Sequence, residues 1–318
     1  MKRTINLALA TALVLTAITS FTGRQAFAAD KDSHWGANYF PNVPLVAQDG
    51  KTVHFYDDLL KGKTVVINFI YTKCNDSCPL ETAKLARVQR LLGDRVGRDI
   101  FFYSISIDPE RDTPEQLKEY ADKYHVQPGW LFLTGDKKDV ELIRKKLGQA
   151  ARPGENSLTG HSTSLMLGNE PTGQWIQDNT MDEPKYIAAV VGDWLSSFTH
   201  HTPGISYAQE QMVDADKGAY LFRTRCAACH TVGQGDGLGP DLNGVSSVRS
   251  HEWLMSFVKT PDRMIADHDP IATALYAKYK QLAMPNLRLS DSDVDALLAY
   301  LNAQSDTSKA SAKASSAK

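Results

Sequence analysis

The sequence predicts two domains of different class, an α/β domain up to about residue 200 and an all-helical domain beyond about residue 211. Three observations carry this. First, β-branched apolar runs alternate with segments of helical periodicity from Thr52 to Phe198, the pattern of a sheet sandwiched by helices. Second, only helical periodicity follows the segment His200 to Gln211, which contains His-His-Thr-Pro-Gly. Third, the four cysteines fall as two close pairs, Cys74/Cys78 and Cys226/Cys229, one on each side of that segment. A length of 318 residues fits two average domains.

In the first domain, Thr52 to Tyr56 reads as a short strand and Thr64 to Tyr71 (TVVINFIY) as a buried one. Pro79 to Leu92 has helical spacing through Leu80, Ala83, Leu85, Val88, Leu91 and Leu92. Ile100 to Ile107 (IFFYSISI) is a second buried strand. Thr113-Pro114-Glu115 supplies a capping hydroxyl and a first-turn proline for a helix to about His125. Trp130 to Thr134 reads as a strand and Val140 to Leu147 as part of a helix. Ser162–Leu167 and Gln174–Ile176 flank Pro171-Thr172-Gly173 and read as a hairpin, and Pro184 to Phe198 as a closing helix.

In the second domain, helices are expected over Asp214–Arg225, His251–Lys259, Ile271–Gln281 and Asp291–Ala303. Ser290 caps the last, with Asp291 and Asp293 in the first turn, where the helix dipole favours anions. Gly233 to Gly244 is glycine-rich and loop-like. The tail Ser305 to Lys318 repeats Ser, Ala and Lys and is expected to be disordered.

Composition narrows the function. Hydrophobic residues make up 42% and charged residues 23%, an ordinary globular balance. A net charge of −2 gives no bulk attraction to nucleic acid, and no nucleic-acid partner is expected. Four cysteines are too few for a disulfide-built scaffold. Nothing has the Ser-His-Asp or paired-carboxylate arrangement of a hydrolase.

The N-terminus has Lys2 and Arg3, an apolar stretch from Ile5 to Ile18, then Ala26-Phe27-Ala28. A basic start, a short apolar core and small residues at −3 and −1 make a secretory signal peptide over residues 1–28, cut after Ala28. The alternative is an uncleaved membrane anchor, but the apolar stretch is shorter than the roughly 20 residues that span a bilayer. No cysteine sits near the cut, which argues against a lipoprotein anchor. A periplasmic location is expected, and there a close cysteine pair serves as a disulfide, a redox pair or a metal site.

Cys226-Ala227-Ala228-Cys229-His230 is the attachment signature of a c-type haem. Two thiols add to the two vinyl groups of one porphyrin, and the adjacent histidine is held under the iron. A zinc knuckle would need two more Cys or His ligands nearby, and no other cysteine is available there. One covalent haem is expected. Methionine as sixth ligand is common in electron carriers and raises the potential. Met284, in Ala283-Met284-Pro285-Asn286-Leu287, is the candidate, with Met264 and Met255 as rivals. Met255 shares a helix with Trp253 and Phe257 and reads as core.

The glycine-rich Gly235 to Leu242, the Met-Pro-Asn-Leu segment and the final Leu-Leu-Ala-Tyr-Leu helix follow the attachment motif in order, and together resemble a class I cytochrome c over about Gln211 to Gln304. The resemblance implies His230 and Met284 as axial ligands, with Pro240 packed against His230.

Cys74 and Cys78 lie directly after a strand and before a helix opened by Pro79. Four-residue spacing puts both on one face of a helical turn. A helix N-terminus, with Lys73 beside it, is expected to lower the thiol pKa. Two soft sulfurs suit copper(I), and one added imidazole would let the site hold copper(II) as well. A structural disulfide and a plain buried pair are the alternatives, although so small a loop gains little from a disulfide. Taken alone, His161 in Thr159-Gly160-His161-Ser162-Thr163 has the character of a surface histidine, on a loop able to fold over the cysteines.

YTKCNDSCP, then SISIDPERDTPEQLKEY, then GHSTS together resemble the Sco/SenC family of copper-delivery proteins over about Pro44 to Phe198. That resemblance implies a thioredoxin-like fold and one copper ion held by Cys74, Cys78 and His161. It implies a structural role for Asp108 to Pro114. Asn75 stands where the family often has proline, and Gly160 where it often has an acidic residue, but no ligand is lost. The expected chain is a signal peptide (1–28), a copper domain (29–200), a linker (201–211), a cytochrome c domain (212–304) and a tail (305–318).

The leading functional reading is a copper-binding assembly protein with its own electron-transfer haem. Its expected partners are a copper-containing oxidase subunit or another periplasmic copper protein, and an electron-transfer partner. The alternatives are a periplasmic thiol-disulfide oxidoreductase coupled to the haem, which would work without His161, and a plain redox carrier or sensor. A metallochaperone and electron-transfer role is favoured over a turnover enzyme.

Overall fold

The computed structural model describes residues 35–150, 158, 163–195 and 216–316. The expected signal segment, His161 and the expected linker lie outside the described residues.

The first domain is built on a seven-stranded mixed sheet of β1 (Pro44–Ala47), β2 (Thr52–His54), β3 (Thr64–Ile70), β4 (Ile100–Ser106), β5 (Trp130–Gly135), β6 (Ser164–Asn169) and β7 (Gln174–Asn179). The spatial order is β2-β1-β5-β4-β3-β6-β7. The central strands β3, β4 and β5 run parallel, with Val66 opposite Phe102 and Tyr103 opposite Leu131. All seven residues of β3 are buried, which is why its sequence is a continuous apolar run with no alternation.

Helices cover both faces. α1 (Cys78–Leu92), α2 (Pro114–Lys123) and α4 (Pro184–Ala189) bury Leu85, Val88, Leu117, Tyr120 and Ile187 against one face. α3 (Lys137–Lys146) buries Val140 and Ile143 against the other. Thr113 caps α2 in a capping box with Gln116, with Pro114 in the first turn. Two expectations are corrected here. The strand starting at Thr52 stops at His54, because Phe55, Tyr56, Leu59 and Leu60 bury one side of a π-helical turn, Phe55–Leu60. The closing helix is α-helical only to Ala189 and continues as a π-helical segment, Val190–Leu195. The strand β1 carries too short a pattern to read from sequence.

The second domain is helical: α5 (Lys217–Leu221), α6 (Val245–Val248), α7 (His251–Lys259), α8 (Pro261–Ala266), α9 (Pro270–Lys278) and α10 (Asp291–Ser316). Its core joins Cys226, Leu254, Val294, Leu297, Leu298 and Leu301. α5 crosses α10 at Gly218, where a Cβ would lie 2.1 Å from the Ala296 carbonyl oxygen; only glycine lets the helices approach so closely. Ser290 and Asp293 bond reciprocally at the start of α10: Ser290 N–H donates to the Asp293 carboxylate at 2.9 Å and Asp293 N–H to Ser290 Oγ at 3.3 Å. α10 runs to Ser316 instead of ending at Ala303 before a disordered tail. The Ala and Lys there are good helix formers, and no Gly or Pro interrupts them.

Candidate metal centre and haem pocket

Strand β3 ends at Ile70, and the next residues turn into α1 at Cys78. Cys74 N–H donates to the Tyr71 carbonyl at 3.2 Å, which folds the loop back on the strand end. Asp112, wholly buried, holds this loop in place. Its carboxylate accepts from Thr72 N–H (3.1 Å), Thr72 Oγ1 (2.5 Å) and Ser106 Oγ (2.6 Å). The Asp108 to Pro114 segment therefore acts on the cysteine loop through one carboxylate, which grips Thr72, two residues before Cys74. Cys74 and Cys78 are both buried and unbridged. Tyr120 hydroxyl donates to the Cys78 carbonyl at 3.3 Å and contacts Thr82 Oγ1 at 3.0 Å, fixing the first turn of α1.

Electrostatics correct one expectation. Burial pushes the Cys78 thiol well above its ordinary range, and neighbouring Cys74 adds to the shift. The helix N-terminus does not prevail, because desolvating a thiolate at a fully buried position outweighs a partial dipole charge. At this position burial favours the neutral Cys78 thiol over a standing thiolate.

In the second domain, Phe222–Cys226 is a π-helical turn, with Ala227 N–H donating to the Phe222 carbonyl at 2.8 Å. Such a turn is frequent at functional sites. Here it leaves Cys226 buried, and the next turn closes through His230 N–H to the Cys226 carbonyl at 2.9 Å. His230 Nδ1 stands 2.9 Å from the Pro240 carbonyl oxygen. A carbonyl only accepts, so Nδ1 carries the proton and Nε2 keeps a free lone pair. Burial lowers the His230 pKa, which keeps the ring neutral; the Pro240 bond opposes this only in part. Burial also pushes Cys226 and Cys229 up to about 12 each.

The lining of the pocket beside His230 suits a porphyrin. It is apolar, and Phe257, Leu275 and Met284 line it together with His230. A Cβ on Gly239 would lie 2.6 Å from His230 Cε1, so this backbone lies directly against the ring. Met264 sits on α8 and does not line the pocket, while Met255 packs on the domain core as expected. The glycine loop is tied down by Asp236, which accepts from Asp241 N–H, Lys278 Nζ and Tyr279 hydroxyl.

The two sites are neighbours. Pro79 and Tyr124 of the first domain line the same pocket as His230 and Met284. Cys74 and Met284 line one cleft between the domains. Arg288 Nη2 pairs with Asp76 Oδ2 at 2.7 Å, Asn286 N–H reaches the Asn75 carbonyl at 3.4 Å, and Arg87 Nη1 reaches the Ala227 carbonyl at 3.5 Å. The ion pair is 80% and 56% exposed, so it contributes at most about 1 kcal/mol and sets orientation more than adhesion. No sequence signal marks these contacts, since Asp76 and Arg288 are 212 residues apart.

Fold and sites together define a thiol-bearing, thioredoxin-like domain joined to a C-terminal cytochrome c domain. Residues 34–195 match the SCO1/SenC family model and residues 215–305 the cytochrome c model. The chain belongs to the SCO1/SenC family, as a fusion with a cytochrome c domain. The SCO1 protein homolog of Bacillus subtilis is 32% identical over 157 residues, covering 48% of this chain and 79% of that protein. Bradyrhizobium japonicum ScoI, in a structure with copper bound, is 28% identical, covering 48% of this chain and 96% of that one, with a TM-score of 0.40. The cytochrome c domain of the pp3183 protein from Pseudomonas putida is 47% identical, covering 28% of this chain and 88% of that one, with a TM-score of 0.27.

Proposed function

We propose that the chain is an exported copper-binding assembly protein with its own electron-transfer haem. Its target is the copper centre of a respiratory oxidase or another periplasmic copper protein. Cys74, Cys78 and His161 take one copper ion as cargo. Cys226 and Cys229 attach one haem, with His230 and Met284 as axial ligands. The observation that carries this reading is the buried thiol pair at the start of α1, locked by Asp112 and standing beside the pocket of the attachment motif.

The work of the chain's own residues follows from their environment. Cys78 keeps its proton until a soft cation arrives, so binding copper(I) releases protons and is favoured as pH rises. Asp112 prevents the loop from opening when the metal leaves. His230 is oriented by Pro240 and presents Nε2 to the pocket, where Met284 supplies a thioether. Bound haem supplies a one-electron couple that His/Met ligation places above an exported dithiol, whose potential is about −200 mV or lower. A gap of about 200 mV is about 5 kcal/mol for each electron. Bound haem would therefore accept electrons singly from the copper/thiol site, and closing a Cys74–Cys78 disulfide would take two such transfers, with the two thiol protons released to water.

Metal and haem analysis of the periplasmically expressed full chain tests the proposal. One copper and one haem per chain are expected. Each single Ala variant at Cys74, Cys78 or His161 should lose copper(II), and His161→Ala should keep copper(I) better than either cysteine variant. Tight stoichiometric copper(II) binding by the double Cys→Ala protein overturns the site. N-terminal sequencing of that material should begin at Ala29.

A further inference from the structure

The pocket beside His230 borders the first domain, whose Pro79 and Tyr124 share its lining. Ala228, Cys229, Leu238 and Leu282, which rim it, pack on the core that contains Cys74 and Cys78. The loop that follows Met284 lies over the cysteine loop through Asn286–Asn75 and Arg288–Asp76. Cys78 is fully buried and Cys74 nearly so. A protein that accepts copper must reach those sulfurs, and in this arrangement the chain's own second domain forms one wall of the cleft that leads to Cys74.

Resting on the copper reading above, we propose that the domains alternate between two states. In the docked state, the second domain lies against the Cys74–Pro79 loop, and bound haem would be electronically connected to the copper/thiol site. In the undocked state, the same loop is open to the copper-receiving protein. The surface around Cys74 and Pro79 is thus a docking face for an apolar cytochrome edge, and its resident occupant is residues 216–316 of the same chain. When docked, copper(I) becomes copper(II) and ferric haem becomes ferrous, one electron for one electron with no proton moved.

The make-up of the contact suits exchange. Among the described residues its polar part includes one exposed ion pair and two long hydrogen bonds of 3.4 and 3.5 Å. Its apolar part sets Ala228, Cys229, Leu238 and Leu282 against the first-domain core, with Pro79 and Tyr124 beside them. Exposed pairs are screened by salt, so ionic strength shifts the balance toward the open state. Twenty residues lie between Leu195 and Asp216, a contour of up to roughly 70 Å, ample for the domains to separate.

The test uses the haem-loaded full chain, with Arg288→Glu, Ala228→Glu, and the charge swap Asp76→Arg/Arg288→Glu. One arm follows alkylation of Cys74 and Cys78 in copper-free protein with the thiols reduced. The other follows intramolecular haem reduction after copper(I) loading, by anaerobic stopped flow. The haem spectrum of each variant is the control for an intact second domain. Both single variants should speed alkylation and slow first-order haem reduction, Arg288→Glu by about threefold to fivefold. The swap should return both rates toward wild type, and high salt should mimic Arg288→Glu. Alkylation and haem reduction that are both indifferent to the two single variants and to salt overturn the proposal. Absence of copper binding would sink the copper reading instead, since the alkylation arm needs no copper.

Discussion

His230 Nδ1 lies 2.9 Å from the carbonyl oxygen of Pro240, and that contact sets which ring nitrogen is left free. It also ties the attachment motif to the glycine-rich loop ten residues on. The loop matters because it holds the ring from behind, at Gly239, while Pro240 fixes its tautomer.

Met284 lines the pocket with His230 and Met264 does not, so the two are separable by mutation. Oxidised wild-type protein should show a weak sulfur–iron band near the red end of the visible spectrum. Met284→Ala should abolish it and Met264→Ala should leave it intact. The reverse pattern would move the sixth ligand to α8.

Gly239→Ala places a methyl 2.6 Å from His230 Cε1 and must push the ring or the loop aside. Haem incorporation should fall several-fold, with a high-spin component in what is recovered. Gly218→Ala meets the Ala296 carbonyl oxygen and should lower the second domain's unfolding free energy by about 1–3 kcal/mol, the usual cost of overpacking. Denaturant titration of the haem absorbance reads it.

Asp112→Ala leaves the buried donors of Thr72 and Ser106 without their acceptor. A cost of roughly 2–3 kcal/mol in first-domain stability is expected from unsatisfied buried groups. Copper affinity should fall as well, because the loop two residues before Cys74 is no longer held. Far-ultraviolet denaturation curves and a copper(I) competition titration measure the two effects. An unchanged copper affinity in a folded Asp112→Ala protein would confine this carboxylate to stability.

Asp236 is held well below the usual carboxylate range, first by the Asp241 N–H and then by Lys278 and Tyr279. A depressed folded pKa contributes stability that is present above the unfolded value of about 3.9 and is lost as pH falls toward the folded one. The second domain should therefore loosen below about pH 4, with His230 ligation reporting it in the haem spectrum. Asp236→Asn should weaken the domain at neutral pH and flatten this acid dependence.

The sequence by itself determined the two-domain order, the sheet sandwiched by helices and both cysteine motifs. These are local signals: β3 is apolar throughout because both faces are covered, and the attachment motif needs only five consecutive residues. Capping at Thr113 and Ser290 was equally local, and the capping bonds form at both. The tertiary structure decided what depends on distant groups. Burial at the foot of a seven-stranded sheet, not the helix dipole, governs the Cys78 thiol. The purpose of Asp112 appeared only when the chain brought it 40 residues back to Thr72. The seating of Arg288 on Asp76 joins two segments that share no pattern, because a contact between surfaces leaves no periodicity in either strand of text.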